Sequence, residues 1–274
     1  MKNHFMSLAV LILILDPMAA YAHRMEEVKT RPSIPGPSSK NMIVYLPDSY
    51  DSGENRYPVL YLLHGARGNE RSWIQKGKII QIIDSLEREG MMQETIVVFP
   101  NMNMYEDDED YGNSRLKGAW ESFFEMDGST ESTFMKDVVG LVDSLYRTIP
   151  EKNSRAIAGL SLGGMQAIQI SASNPDSFGY VGAFSPLVSS VVKKGDHSGF
   201  YRKLGKRLME QFRNPPELYS IMVGKRDFLK PHLDSFHNYL NEHGYEHEYR
   251  VTGGGHQWKN WISYCTLFMK ELWK

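Results

Sequence analysis

Cysteine is almost missing from this chain: Cys265 is the only one among 274 residues. No intramolecular disulfide can form, so stability has to come from a packed core. Cys265 lies in Trp261-Ile262-Ser263-Tyr264-Cys265-Thr266-Leu267-Phe268, which reads as an amphipathic helix, so a buried inert thiol is expected rather than a reactive one. A surplus of charge is also missing. The 31 basic and 33 acidic residues leave a net charge of -2, which argues against broad attraction to nucleic acid or to an anionic membrane surface. No run is long and apolar enough to span a bilayer, no internal repeat appears, and no cysteine or carboxylate grouping turns His237, His243 and His247 into a metal site. Those three histidines read as solvated, and neither metal nor cofactor is expected.

What is present suits one ordinary globular domain, with 41% hydrophobic residues. At the N-terminus, Lys2 and His4 precede the apolar run Phe5 to Leu15, and Ala20-Tyr21-Ala22 has the small-residue pattern of a cleavage site. Residues 1–22 are therefore expected to be a secretory signal peptide, with an uncleaved anchor as the alternative, and the mature protein to be secreted or periplasmic without a membrane anchor. Residues 23–40, polar and rich in proline and serine, read as a flexible lead-in.

Residues 41–274 alternate strand and helix patterns. Strands are expected at Met42 to Pro47, Tyr57 to Leu63, Glu94 to Pro100, the run before Ser161, Gly179 to Phe184, the run ending at Gly224, and Tyr245 to Val251. Helices are expected near Ile79 to Leu86, Met135 to Tyr146, Leu162 to Ala172, Tyr201 to Phe212, Pro231 to Glu242 and Gln257 to Trp273. This order predicts an α/β protein with a mostly parallel central sheet and helices on both faces. Asn101 to Thr130 has no clear period and should overhang the crevice where such folds bind ligands.

Gly159-Leu160-Ser161-Leu162-Gly163 is a G-x-S-x-G run between an apolar stretch and a helix-like one. A strand that turns sharply into a helix lifts the serine hydroxyl to the top of a sheet, and side chains at the glycine positions would collide with neighbouring backbone. A serine needs a base to take its proton, and His256, after Gly253-Gly254-Gly255, is the candidate. The base needs an acid to hold its tautomer. Asp227, after the strand ending at Gly224, is preferred to Asp234, which falls inside an expected helix. The oxyanion donors expected are the N–H of Leu162 and that of Ala66, in Leu63-His64-Gly65-Ala66-Arg67-Gly68, with Arg67 as the next choice. With this set, kcat/KM should fall on the acidic side as His256 takes up a proton.

Tyr57 to Gly65, Ala156 to Gly164, Pro175 to Tyr180 and Gly254 to Trp258 together resemble the esterase-D-like, or putative-esterase, branch of the α/β-hydrolases, which includes the family 1 carbohydrate esterases. The resemblance runs from about Asn41 to Trp273 and implies the α/β-hydrolase fold, a triad at Ser161, Asp227 and His256, and a second oxyanion donor at Ala66. It also implies a serine ester hydrolase that removes feruloyl or acetyl groups from plant-type polysaccharide or oligosaccharide through an acyl-enzyme. Another ester substrate (a siderophore lactone, a thioester), acyl transfer, or a non-catalytic glycan-binding protein of this fold are the alternatives. Trp258, Trp120 and Phe124, with Phe123, are candidates for a surface that meets an aromatic acyl group or a sugar ring, the competing reading being core. The acidic run Glu106 to Asp110 reads as a solvated loop, with calcium binding as the alternative although the spacing matches no calcium loop.

Overall fold

A computed structural model describes residues 11–13, 24–29, 41–102, 133–188 and 197–274. Nine strands form one sheet among the described residues: β1 (Leu11–Leu13), β2 (Arg24–Lys29), β3 (Asn41–Leu46), β4 (Val59–Leu63), β5 (Ile96–Pro100), β6 (Arg155–Leu160), β7 (Tyr180–Phe184), β8 (Leu218–Gly224) and β9 (Glu248–Thr252). Their order across the sheet is β1-β2-β3-β5-β4-β6-β7-β8-β9. Every pairing from β5 to β9 is parallel, whereas β1, β2 and β3 add an antiparallel flank.

Apart from the short α1 (Ser72–Gln75), which no period announces, the helices follow from the periods read above: α2 (Ile79–Arg88), α3 (Gly140–Leu145), α4 (Leu162–Ser173), α5 (His197–Gln211), α6 (Lys230–Glu242) and α7 (Trp258–Met269). The helix expected from Met135 is wound as a π-helix over Phe134–Val139, with the N–H of Gly140 reaching back to the carbonyl of Met135, before it tightens into α3.

Two cores lie on the two sides of the sheet, and β4 shows why. Side chains alternate along a strand, so Val59, Tyr61 and Leu63 enter one core with Phe134, Ile168, Leu204 and Phe236. Leu60 and Leu62 enter the other with Trp73, Ile83, Trp261 and Phe268. All five residues of β4 are buried, which explains a nearly continuous apolar run where a one-sided sheet would show alternation. Cys265 is fully buried in the second core, and burial pushes its thiol pKa up, so it stays protonated and inert.

The flexible lead-in expected over residues 23–40 needs correction over its first part. Residues Arg24–Lys29 pair along their full length with β3, from Arg24 opposite Leu46 to Lys29 opposite Asn41. The sequence Arg-Met-Glu-Glu-Val-Lys hides this strand because Glu26 occupies a core-facing position beside Val28. The buried Glu26 carboxylate accepts a 2.8 Å hydrogen bond from the Tyr146 hydroxyl and pairs with Arg24, which replaces the water that would otherwise solvate it. Residues 30–40 lie outside the described part. Within the segment expected to be cleaved, Leu11–Leu13 pairs antiparallel with β2 as the outer strand, and cleavage after Ala22 would remove that strand.

Parallel strands end on one side of a sheet. The register aligns Leu63 of β4 with Gly159 of β6, Leu160 of β6 with Phe184 of β7, Phe184 with Met222 of β8, and Gly224 of β8 with Thr252 of β9. The loops after β4, β6, β8 and β9 therefore open at a common edge, the edge where open α/β sheets bind ligands.

Candidate active site

Ser161 joins the end of β6 to the start of α4 with φ 53° and ψ -115°, a conformation that costs a residue with a side chain of order 1–3 kcal/mol. Its neighbours hold it there. The Ser161 N–H donates to the Phe184 carbonyl at 2.8 Å, and its carbonyl accepts from the N–H groups of Met165 and Leu187, both at 3.1 Å. The flanking glycines are needed for close approach: a Cβ on Gly163 would stand 2.3 Å from the His64 carbonyl oxygen, and one on Gly159 would stand 2.5 Å from the Gly163 backbone. The sharp strand-to-helix turn thus exists because β6, α4 and the end of β4 meet backbone to backbone.

The loops after β8 and β9 bring the other two expected residues to the serine. His256 Nε2 lies 3.0 Å from Ser161 Oγ, and His256 Nδ1 lies 3.0 and 3.2 Å from the two carboxylate oxygens of Asp227. A carboxylate only accepts, so Nδ1 carries the proton and Nε2 is left with its lone pair facing the hydroxyl. The two loops are tied together: the Arg226 N–H donates to the Gly254 carbonyl at 2.8 Å, and the Asn260 amide on α7 donates to the Gly253 carbonyl at 2.7 Å.

Asp227 is buried, and burial alone would raise its pKa. The hydrogen bond from His256, a 3.0 Å hydrogen bond from the Leu229 N–H and the charge of the histidine outweigh burial and hold the carboxyl below the usual carboxylate range. Ser185, fully buried and at φ 48° directly after β7, stands beside this carboxylate, but its hydroxyl closes no well-formed hydrogen bond.

The two expected oxyanion donors flank the same serine. Leu162 is the first residue of α4, so its N–H has no acceptor within the helix, and the positive end of the helix dipole adds to it. Ala66 sits in the turn Gly65 to Gly68, closed by the 3.1 Å bond from the Gly68 N–H to the Gly65 carbonyl, a pattern that leaves the Ala66 N–H outside the turn's own hydrogen bond. This turn passes close over the serine: a Cβ on Gly65 would stand 3.4 Å from Ser161 Cβ.

Sequence reasoning read His64 only as a member of the loop that carries the second oxyanion donor, and the structure gives it a larger part. The Met102 N–H donates to His64 Nε2 at 3.0 Å, so Nδ1 holds the proton and donates to the Gly65 carbonyl at 2.7 Å. That carbonyl and the Ala66 N–H belong to one trans peptide, in which the two groups point in opposite directions. Gripping the carbonyl from His64 and Gly68 therefore aims the Ala66 N–H. No signal in the sequence gives this, because it depends on Met102 arriving from the end of β5.

Trp258 is half-buried, edge-on to Trp73 at 5.3 Å and to Trp261 at 5.5 Å, and packs against the second core. Trp120, Phe123 and Phe124, and the acidic run Glu106 to Asp110, lie outside the described residues. Asp234 is engaged by Lys230 at 2.7 Å and by the Tyr249 hydroxyl at 2.6 Å. His237 and His247 are hydrogen-bonded to each other at 2.8 Å instead of standing free in solvent, because both sit where α6 meets β9. No group of three metal-binding side chains occurs among the described residues.

Comparison with known proteins identifies the family and the fold. A model of the putative-esterase family matches residues 37–227. An endo-1,4-beta-xylanase/feruloyl esterase of Xylanibacter ruminicola is 30% identical over 238 residues, covering 84% of this chain and 29% of that protein. The chain spans less than a third of the length of the xylanase relatives it matches. Among solved structures, a ferulic acid esterase superposes with a TM-score of 0.75 at 26% identity, covering 92% of this chain and 98% of the other. A CE1 ferulic acid esterase from the anaerobic fungus Anaeromyces mucronatus, at 22% identity, shares the fold with a TM-score of 0.71 over 99% of this chain and 93% of its own. The chain belongs to the putative-esterase family of α/β-hydrolases, a family of serine carboxylic ester hydrolases.

Proposed function

We propose that the protein is an exported serine esterase that removes feruloyl or acetyl groups from plant-type polysaccharide or oligosaccharide. The observation that carries this reading is the unbroken chain from Ser161 Oγ through His256 to Asp227, with Nε2 of the histidine left basic at 3.0 Å from the hydroxyl. His256 takes the serine proton as Oγ attacks the ester carbonyl. Asp227 keeps the proton on Nδ1 and stabilises the imidazolium. The N–H groups of Leu162 and Ala66 receive the charge that develops on the carbonyl oxygen. Collapse of the tetrahedral intermediate expels the alcohol, which takes its proton from His256 and leaves an acyl group on Ser161. Water, deprotonated by the same histidine, then releases the acid.

The acyl and sugar specificity rests on the relatives whose names carry feruloyl esterase activity, and export rests on the N-terminal pattern Lys2 to Ala22. The test is steady-state hydrolysis of methyl ferulate, 4-nitrophenyl acetate and an acetylated xylo-oligosaccharide by the wild type and Ser161→Ala. Ferulate turnover that the variant lacks supports a feruloyl esterase. Turnover confined to the acetyl esters makes the protein a deacetylase, and no turnover of any of the three overturns the reading.

A further inference from the structure

The imidazole of His256 touches two aromatic rings with opposite surroundings. Trp261 meets it edge-on at 4.9 Å and is buried in the second core. Phe228 meets it at 4.8 Å with the planes tilted by 53°, and is 67% exposed, the most exposed of the large apolar side chains described. An exposed phenylalanine on a loose loop would be unremarkable. This one is held rigidly. Asp227 and Leu229 on either side of it are both buried, the Leu229 N–H bonds to the Asp227 carboxylate, the Asp227 N–H bonds to Gly224, and the Lys230 N–H bonds back to the Asp227 carbonyl. The turn that aims the carboxylate inward necessarily holds the next side chain outward, beside the histidine.

We infer that Phe228 is a platform for the alcohol part of the ester, and that the alcohol it fits is a sugar; this rests on the ester-hydrolase reading above. Nε2 of His256 has to deliver a proton to the departing alcohol oxygen, so that oxygen must come within about 3 Å of Nε2. The carbonyl oxygen of the same ester faces the N–H groups of Leu162 and Ala66. The atoms bonded to the departing oxygen consequently lie along the histidine, and of the two rings in contact with the histidine Phe228 is the exposed one. A sugar ring presents a face of C–H groups that suits the negative face of an aromatic ring. A methyl or other small alcohol would not reach it.

The experiment compares kcat/KM for a feruloylated arabinoxylo-oligosaccharide and for methyl ferulate in the wild type, Phe228→Leu, Phe228→Ala and Phe228→Trp. Leucine keeps an apolar side chain against the imidazole and removes the aromatic face. The expected result is a loss about three- to tenfold greater for the sugar ester than for the methyl ester in the leucine and alanine variants, with the sugar ester recovered by tryptophan. Equal losses on both esters reduce Phe228 to packing on His256 and overturn the inference, as does no loss on either. A second arm titrates the unesterified arabinoxylo-oligosaccharide into Ser161→Ala with and without Phe228→Ala, followed by NMR. Binding that weakens with Phe228→Ala supports the platform, and binding indifferent to it overturns it. If the wild type hydrolyses neither ester, the feruloyl part of the functional reading falls, and the titration still decides the platform by itself.

Discussion

Two places in this molecule combine a histidine, an aspartate and an aromatic ring, and they are built to opposite ends. At the first, Asp227 is buried and holds Nδ1 of His256, and Nε2 is left over, facing a hydroxyl at 3.0 Å. At the second, every nitrogen is used. His247 Nδ1 meets the Tyr245 carbonyl at 2.7 Å, so its Nε2 accepts from His237 Nδ1, and His237 Nε2 meets the Asn241 amide at 3.1 Å. Asp234, the carboxylate nearby, is taken up by Lys230 and Tyr249, and Tyr249 lies stacked at 4.5 Å on His237. Burial and the facing His247 lower the pKa of His237, which favours its neutral form, and the hydrogen bonds close the group into a structural clamp. Residue type does not separate the two sites. What separates them is whether one basic nitrogen remains unspent and aimed at something that can react.

The largest way to break this contrast is to remove the hydroxyl that the free nitrogen faces. Ser161→Ala should lower kcat on any hydrolysed ester by a factor on the order of 10⁵ to 10⁶, with folding retained by circular dichroism. Next is Asp227→Asn, which should cost about 10⁴-fold in kcat because an amide can donate and no longer fixes the tautomer of His256. The same variant carries a pH signature. The Asp227 carboxyl is held below its ordinary range in the fold, so its contribution to stability is present above an unfolded carboxylate pKa of about 4 and is lost as pH falls through the lower folded value. Denaturation curves of the wild type and Asp227→Asn should therefore be well separated above about pH 5 and converge in stronger acid.

A smaller effect is expected from His64→Leu. It leaves both N–H donors in place but removes the imidazole's hold on the Gly65 carbonyl, which keeps its bond from the Gly68 N–H, so kcat should fall by about 10- to 100-fold, less than the 10²- to 10³-fold typical of removing a donor outright. KM for the same ester should move little. At the far end, Asp234→Asn and His237→Ala should change kcat/KM less than about twofold, since single surface contacts of this kind contribute about 0–1 kcal/mol to stability and none here reaches Ser161. A large loss in either would end the distinction between the two constellations.

The sequence carries most of the fold because strand burial in a parallel sheet writes itself as apolar runs: β4, β5 and β6 are buried along their whole lengths. Ser161 is legible because backbone contact at Gly159 and Gly163 admits no side chain, which leaves a fixed spacing in the sequence. Asp227 is preferred to Asp234 by topology alone, the one after a strand end and the other inside a helix, and the structure puts only Asp227 against His256. What stays hidden depends on contacts between distant segments. β2 is masked by Glu26, whose burial is made tolerable by Tyr146, 120 residues away. The hold of His64 on the Gly65 carbonyl requires the end of β5. Phe228 carries no pattern of its own, since a single outward side chain in a turn looks like any other until its neighbour is seen to be His256.

The most direct measurement is to quench the enzyme with acid within its first turnovers of 4-nitrophenyl acetate or methyl ferulate and read the protein and its peptides by mass spectrometry. The account predicts an acetyl or feruloyl group on the peptide containing Ser161, formed in a burst matching the enzyme concentration and absent in Ser161→Ala. An acyl group on another residue, or turnover with no acylated protein at any quench time, would contradict it.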